Sequence, residues 1–309
     1  MDEIIIICHD HDMDIYEFQS SQAFDVQRPS RQSAPIVLNS PHSGRIYPAE
    51  FLAQSRLAPF VLRRSEDAYV DELFAFGPRI GVPLLRAHFP RAYLDANRAP
   101  DELDPAMFRA PLSVTVNPRS MRVAGGLGII PRVVGEGQAI YDALLPVEEI
   151  DRRINGLYRP YHRELLDLLD ETHRSFGQVV LLDCHSMPAQ PFTAPRPGHP
   201  RADIVLGDRF GTSCAPAIVD CVEDALQSAG LIVARNKPYA GGFITEHYGH
   251  PGSLCHALQI EINRGLYMNE QTLEKKENFS ALSQSLAMMV TRLAALLNHE
   301  YSGRERAAE

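Results

Sequence analysis

The chain has 309 residues, 45% of them hydrophobic and 22% charged, which supplies a sizeable core and excludes wholesale disorder. Lys and Arg total 30 against 39 Asp and Glu, a net charge of -9 with no segregated basic patch along the sequence, so nucleic acid is not an expected partner. The opening MDEIIIICHDHDMD carries acids where a secretory signal needs basic residues, no later stretch reads as a membrane span, and five scattered cysteines without a CxxC pair suit a reduced, cytoplasmic chain.

Residues 1–33 read as an irregular arm, because little after the first apolar run could pack. From there short runs rich in Val, Ile and Leu alternate with helical patterns. APIVLNS (34–40), VPLLRAHF (82–89), QVVLLDCH (178–185), ADIVLGD (202–208), GLIVARN (230–236) and HALQIEIN (256–263) read as strands bounded by Pro, Gly or polar residues. Helices are expected over 67–76, over 147–176 with a kink or split at Pro160, over 213–229 ending at Gly230, and over 280–297. Residues 99–146, rich in Pro and Gly, read as a loop-rich insertion with a short hairpin, and 186–201 as a proline-rich loop. The charged tail from 299 falls outside the core. This order predicts one α/β domain over 34–298 with a mixed, mainly parallel sheet and helices on both faces.

Cofactor signatures fail. The only glycine cluster, GGLGIIP (125–131), puts Pro131 where a dinucleotide fingerprint needs a glycine, and it does not follow the first strand. No GxxxxGK[ST] or GxSxG occurs. Cys184 and His185 are neighbours on an extended run, so they face opposite ways and do not form a thiol and its base; packing is the expected role of Cys184.

What remains sits at the carboxyl ends of strands, where open α/β sheets hold ligands. His42 follows the first strand and His185 ends the third. Each alone reads as structural; together, with the acidic segment Glu66–Asp67, they match the ligand chemistry of zinc. In HALQIEIN, alternation places Gln259, Glu261 and Asn263 on one face of an otherwise apolar strand. A carboxylate there needs a metal, a catalytic task or a salt bridge to a core arginine. PRAYLDANR (90–98) gathers Arg91, Asp95, Asn97 and Arg98, a set suited to carboxylate or oxyanion binding, or to a structural ion pair. Gly241 and Gly242 leave the next loop free to move, so that His247 or Tyr248 could reach over a bound substrate; a solvent-exposed histidine is the alternative.

Taken together, SPHSGRIYP (40–48), SEDAYVDELF (65–74), PRAYLDANRAPDELDP (90–105), VVLLDCHSMP (179–188), GGFITEHYGHPG (241–252) and IEINRGLYMNE (260–270) resemble the N-formylglutamate amidohydrolase family, over about residues 35–298. The resemblance implies a zinc carboxypeptidase-like (phosphorylase/hydrolase-like) fold and one zinc ion per chain held by His42, Asp67 and His185. It departs from the carboxypeptidase HxxE spacing, since Arg45 stands third after His42. It also implies Glu261 as base and then acid, Arg91 polarising the scissile carbonyl, and Asn97 and Arg98 holding a substrate carboxylate. The expected reaction is hydrolysis of a small N-formyl or N-acyl amino acid, first of all N-formyl-L-glutamate to formate and glutamate. A peptide or cell-wall amide as substrate, or a non-catalytic metal-binding relative, are the alternatives.

Overall fold

The computed structural model describes residues 14–15, 23–117, 119–189 and 201–308. Seven strands, β1 (Phe24–Gln27), β2 (Ile36–Ser40), β3 (Leu84–Ala87), β4 (Val179–Met187), β5 (Ile204–Gly207), β6 (Val233–Arg235) and β7 (Cys255–Asn263), form one sheet in the order β6-β5-β7-β4-β2-β3-β1. β2 and β7 both pair parallel to β4, β6 pairs parallel to β5, and β5 runs antiparallel to β7. The mixed, mainly parallel α/β sheet agrees with the sequence: β4 opens on the apolar run Val179–Leu182, and all nine of its residues, Asp183, His185 and Ser186 included, are buried between two neighbouring strands.

All six expected strands are present, within the expected segments or extending one or two residues past them. β4 continues through Ser186 to Met187, paired as far as Asn263, so His185 lies inside the strand and not after it. The backbone ladder overrides the polar side chains there, since an extended partner is available. β1 falls within the stretch assigned by sequence to an arm; its four residues are all half-buried and FDVQ has no apolar run, so only its edge position marks it as a strand. The insertion contains the expected hairpin, with Val133 opposite Ala139. Residues 190–200 of the proline-rich loop lie outside the described residues.

The chain groups into two compact units of interleaved segments. The second takes in Val26–Ser40, Tyr69–Leu85 and the residues from Leu165 onward. In it, the helices α2 (Pro216–Ser228) and α3 (Phe279–Ala308) pack on one another. The stretch Phe279–His299 is long and apolar enough to cross a membrane by length and composition. Yet Leu282, Leu286, Met289, Val290, Leu293 and Leu297 form a buried stripe at three- and four-residue spacing, as in the core helix of a folded domain. α3 also runs on past the expected boundary to Ala308.

The first unit takes in the described residues up to Asp25, Pro41–Ala68 and Arg86–Glu164. The expected break at Pro160 appears as a change of winding. Asp151–Tyr158 is wound as a π-helix that runs without a break into α1 (Arg159–Phe176), so the ring and the missing N–H of Pro160 meet the wider winding of the turns before it. The helix expected over 67–76 shrinks to Val70–Leu73, because Tyr69 adopts a left-handed backbone (φ 66°) and leaves Asp67 in the turn before it.

Arg153 is fully buried on the π-wound segment. It donates from Nε to Glu149 (2.8 Å) and from Nη1 to the Tyr93 carbonyl (3.0 Å) and the Tyr141 hydroxyl (2.8 Å), with its guanidinium 4.0 Å above the Tyr93 ring centroid. Burial alone would lower its pKa, but Tyr141, Tyr93 and Glu149 outweigh it and raise it. Arg153→Ala takes from the buried Glu149 its buried partner and leaves it only the half-exposed Arg152, 2.8 Å from the other oxygen, and is expected to cost about 3 kcal/mol. Urea unfolding monitored by circular dichroism checks this; a shift below about 1 kcal/mol would mean that the network carries little stability.

Candidate active site

The segment after β2 carries His42. The turn is tight: at Gly44 a Cβ would lie 2.1 Å from the Phe89 carbonyl oxygen, so only glycine fits. Asp67 N–H donates to the His42 carbonyl at 2.9 Å and Ser43 Oγ donates to the Asp67 carbonyl at 3.0 Å, which clamps the two loops together. His42 Nδ1 then lies 3.3 Å from Asp67 Oδ2, while Nε2 is bonded to Asp95 Oδ1 at 2.7 Å.

Glu66 turns elsewhere. It accepts from Tyr47 Oη at 2.7 Å and from Arg63 Nε at 3.3 Å, and burial pushes its carboxyl up despite Arg63. The two neighbouring carboxylates thus keep different company, Glu66 with Tyr47 and Arg63, Asp67 with His42. His42, Asp67 and His185, all buried, offer ligand atoms that lie within 4.8 Å of one another and could hold a metal ion.

His185 and Asp183 share one face of β4 because they are two residues apart. His185 Nε2 is bonded to Asp183 Oδ2 at 2.9 Å, and Asn39 of β2 donates to the other oxygen, Oδ1, at 2.8 Å. Both imidazoles thus spend Nε2 on a carboxylate, which fixes the ring and leaves Nδ1 as the other nitrogen, the arrangement found behind metal-binding histidines. Two imidazoles and one carboxylate suit zinc or a similar transition-metal ion, whereas calcium or magnesium would call for oxygen ligands throughout. The donor set fits the implied zinc.

β7 continues the polar face. Its register places Gln259 beside Asp183 and Glu261 beside His185. Gln259 Oε1 accepts from the Gly242 N–H at 2.7 Å; a backbone N–H can only donate, so the amide NH₂ must face Glu261, and it donates to Oε1 at 2.8 Å. Glu261 is thereby met as an acceptor inside the sheet. Cys184 points to the other side, fully buried, and burial with Asp183 nearby pushes its thiol well up, as expected of a packing residue.

Asp95 is the hub of the PRAYLDANR segment. Besides His42 it accepts from Arg91 Nε (3.0 Å) and the Asn97 N–H (2.9 Å), and Arg98 Nη2 lies 3.2 Å away. Burial would raise its pKa, but Arg98, Arg91 and His42 together hold the carboxyl well below the usual range. Arg98 is also buried. Its Nε donates to the Leu127 carbonyl and its Nη1 to the Asn97 carbonyl, both at 2.7 Å, and burial pulls the guanidinium down to about 10, still protonated at neutral pH. The Arg91 side chain is more open, 27% exposed against 8% for Arg98. For a metal held through His42, Asp95→Asn is expected to weaken affinity about 10–100-fold. Competition with a chelating dye measures it, and unchanged affinity would remove Asp95 from any orienting role.

His247 lies on the helical turn Phe243–Tyr248, exposed, its ring stacked on Phe243 with centroids 4.8 Å apart. Burial and the nearby His250 push its imidazole down. Sequence reasoning offered Asp95 only a structural ion pair with an arginine, and gave Asp183 and Gln259 no role. For the last two the signal was present, since each stands two residues before a suspected site residue on the same strand.

The sequence profile described as N-formylglutamate amidohydrolase matches residues 34–268. N-formylglutamate deformylase of Pseudomonas aeruginosa is 29% identical over 248 residues, covering 78% of this chain and 85% of that protein. The crystal structure of N-formylglutamate amidohydrolase from Ralstonia eutropha superposes with a TM-score of 0.85 at 41% identity, covering 90% of this chain and 99% of that one. A protein of Agrobacterium tumefaciens shares the fold at a TM-score of 0.63 and 19% identity, with 90% and 96% covered.

Proposed function

Because the chain belongs to the N-formylglutamate amidohydrolase family, we propose that it hydrolyses the amide of a small N-formyl amino acid, N-formyl-L-glutamate first, to formate and the free amino acid. The observation that carries the reading is the convergence of His42, Asp67 and His185 to within 4.8 Å, with Glu261 in register beside His185. The relatives named as deformylase and amidohydrolase support the reaction and the substrate class.

A zinc ion on His42, Asp67 and His185 would supply Lewis acidity toward water and the carbonyl when bound. Glu261 takes the proton of the attacking water and returns it to the leaving amine; the Gln259 amide holds its carboxylate in place for both transfers. Arg91, the more open of the two arginines and anchored by Nε to Asp95, places its positive charge against the developing oxyanion. Arg98 has three of its five N–H groups committed to Leu127, Asn97 and Asp95, and offers the other two, with the Asn97 amide, to a substrate carboxylate. His247 covers the bound substrate from the Phe243–Tyr248 turn.

The reading is tested by formate release from N-formyl-L-glutamate before and after chelation, together with metal content by elemental analysis. One zinc per chain and chelation-sensitive release are expected. Stoichiometric metal without turnover of any N-acyl amino acid would instead make the protein a non-catalytic metal binder.

A further inference from the structure

The glycine cluster that failed as a nucleotide fingerprint has another use. Arg98 Nε donates to the carbonyl of Leu127, inside Gly125-Gly126-Leu127-Gly128, at 2.7 Å. The Asp95 N–H donates to the carbonyl of Ile129, the next residue along, at 2.9 Å. One short stretch of backbone therefore holds both ends of the DANR segment, once through a guanidinium and once through a main-chain amide.

The turn is itself fixed from behind. Ile129 N–H donates to the Glu102 carbonyl at 2.8 Å, and Glu102 is pinned by Ser120 Oγ and by the Ala99 N–H at 3.0 Å. Ser120 also caps the helical turn Met121–Ala124, from which the Leu127 N–H returns to the Arg122 carbonyl at 2.7 Å. Two glycines make this possible. Gly126 has φ +76°, in the left-handed region. At Gly128 a Cβ would sit 2.4 Å from the Glu102 carbonyl oxygen, a backbone atom that no rotamer change can move aside. Any side chain there drives the turn off Glu102 and takes the Leu127 carbonyl with it.

A guanidinium is a rigid planar fork, so fixing Nε sets the direction of the whole plane. Resting on the reading above that Arg98 meets a substrate carboxylate, we propose that the Gly125–Gly128 turn is a positioning element for substrate recognition. It aims the Arg98 fork through the Leu127 carbonyl, and Gly128 is the residue on which that aim depends. An exposed turn (Leu127 is 43% exposed) built with glycines and backed by the buried Glu102 suits that role.

The test is a double-mutant cycle with a spectroscopic arm. Gly128→Ala is expected to raise KM for N-formyl-L-glutamate about tenfold with kcat and metal content changed less than about twofold. In an Arg98→Ala background the same change is expected to add less than about twofold, because its effect passes through Arg98. Gly135→Ala, where a Cβ would meet nothing within 4 Å, is the control and should match the parent chain. Independently of turnover, the Arg98 Nε–H resonance, assigned by its loss in Arg98→Lys, should shift and exchange faster with solvent in Gly128→Ala. An unmoved resonance, or effects of Gly128→Ala and Arg98→Ala that simply add, would overturn the inference. If the parent chain shows no turnover at all, the proposed function fails instead, and the Kd of L-glutamate for the zinc-loaded chain replaces KM in the same cycle. Should Gly128→Ala not fold, Gly126→Ala displaces the same turn by another route, through backbone strain at φ +76°, the nearest atoms to its Cβ being side-chain atoms of Val133 and Arg132 and no backbone atom.

Discussion

Glu261→Gln is expected to leave metal binding intact and to lower kcat by about 100- to 10,000-fold, the range that a positioned general base contributes. Glutamine has the same length, and its amide oxygen can still accept the bond that Gln259 Nε2 makes to Glu261 Oε1, so the local geometry survives. What it cannot do is take a proton from water. The carboxylate stands at the carboxyl end of a buried strand, beside His185 in register, and its neighbour Gln259 is locked by the Gly242 N–H. Steady-state formate release and zinc content on one preparation check the prediction. A fully active variant would remove Glu261 from the chemistry.

His185→Ala should behave differently and lose metal and turnover together. The substitution deletes one of three donor groups, and it also takes from the buried Asp183 its imidazole partner, leaving the Asn39 bond at 2.8 Å. Deleting a ligand is therefore a larger change than Asp95→Asn, which keeps the donor and disturbs only its orientation. Zinc titration of the two variants against the parent separates them: no measurable site in the first, a weakened one in the second. Stoichiometric zinc in His185→Ala would show that the histidine is not a ligand.

The sheet was legible because its central strands carry short apolar runs or an apolar alternation: Ile36–Leu38 opens β2, Val179–Leu182 opens β4, and Leu258, Ile260 and Ile262 alternate along β7. β1 was not, because an edge strand half-exposed along its length has no hydrophobic pattern of its own; its identity comes from the neighbour it pairs with. The short helix at Val70–Leu73 shows the converse, where apolar periodicity suggested a longer element and the left-handed backbone at Tyr69 cut it.

At the site, His42 and His185 could be picked out because each follows or ends an apolar run, and Glu261 because it is a carboxylate within an otherwise apolar strand. Asp67 needed the family resemblance, since nothing in Glu66–Asp67 says which carboxylate turns inward; Tyr47 and Arg63 decide it by claiming Glu66. The bond from Asp95 to His42 was hidden for another reason. The carboxylate's role depends on His42, fifty-three residues away, and on two arginines that from sequence alone could equally have faced solvent. The GGLG turn was visible as composition but not as a support, because the contact that gives it meaning is a backbone carbonyl meeting a side chain from a distant segment.

Anomalous diffraction at the zinc edge from crystals of the metal-loaded protein addresses the metal directly. One peak per chain is expected, about 2.0–2.2 Å from one atom each of His42, Asp67 and His185, with the Asp95 and Asp183 carboxylates still bonded to the far nitrogens of the two rings. A peak elsewhere, or none while the loaded enzyme turns over, would contradict that assignment.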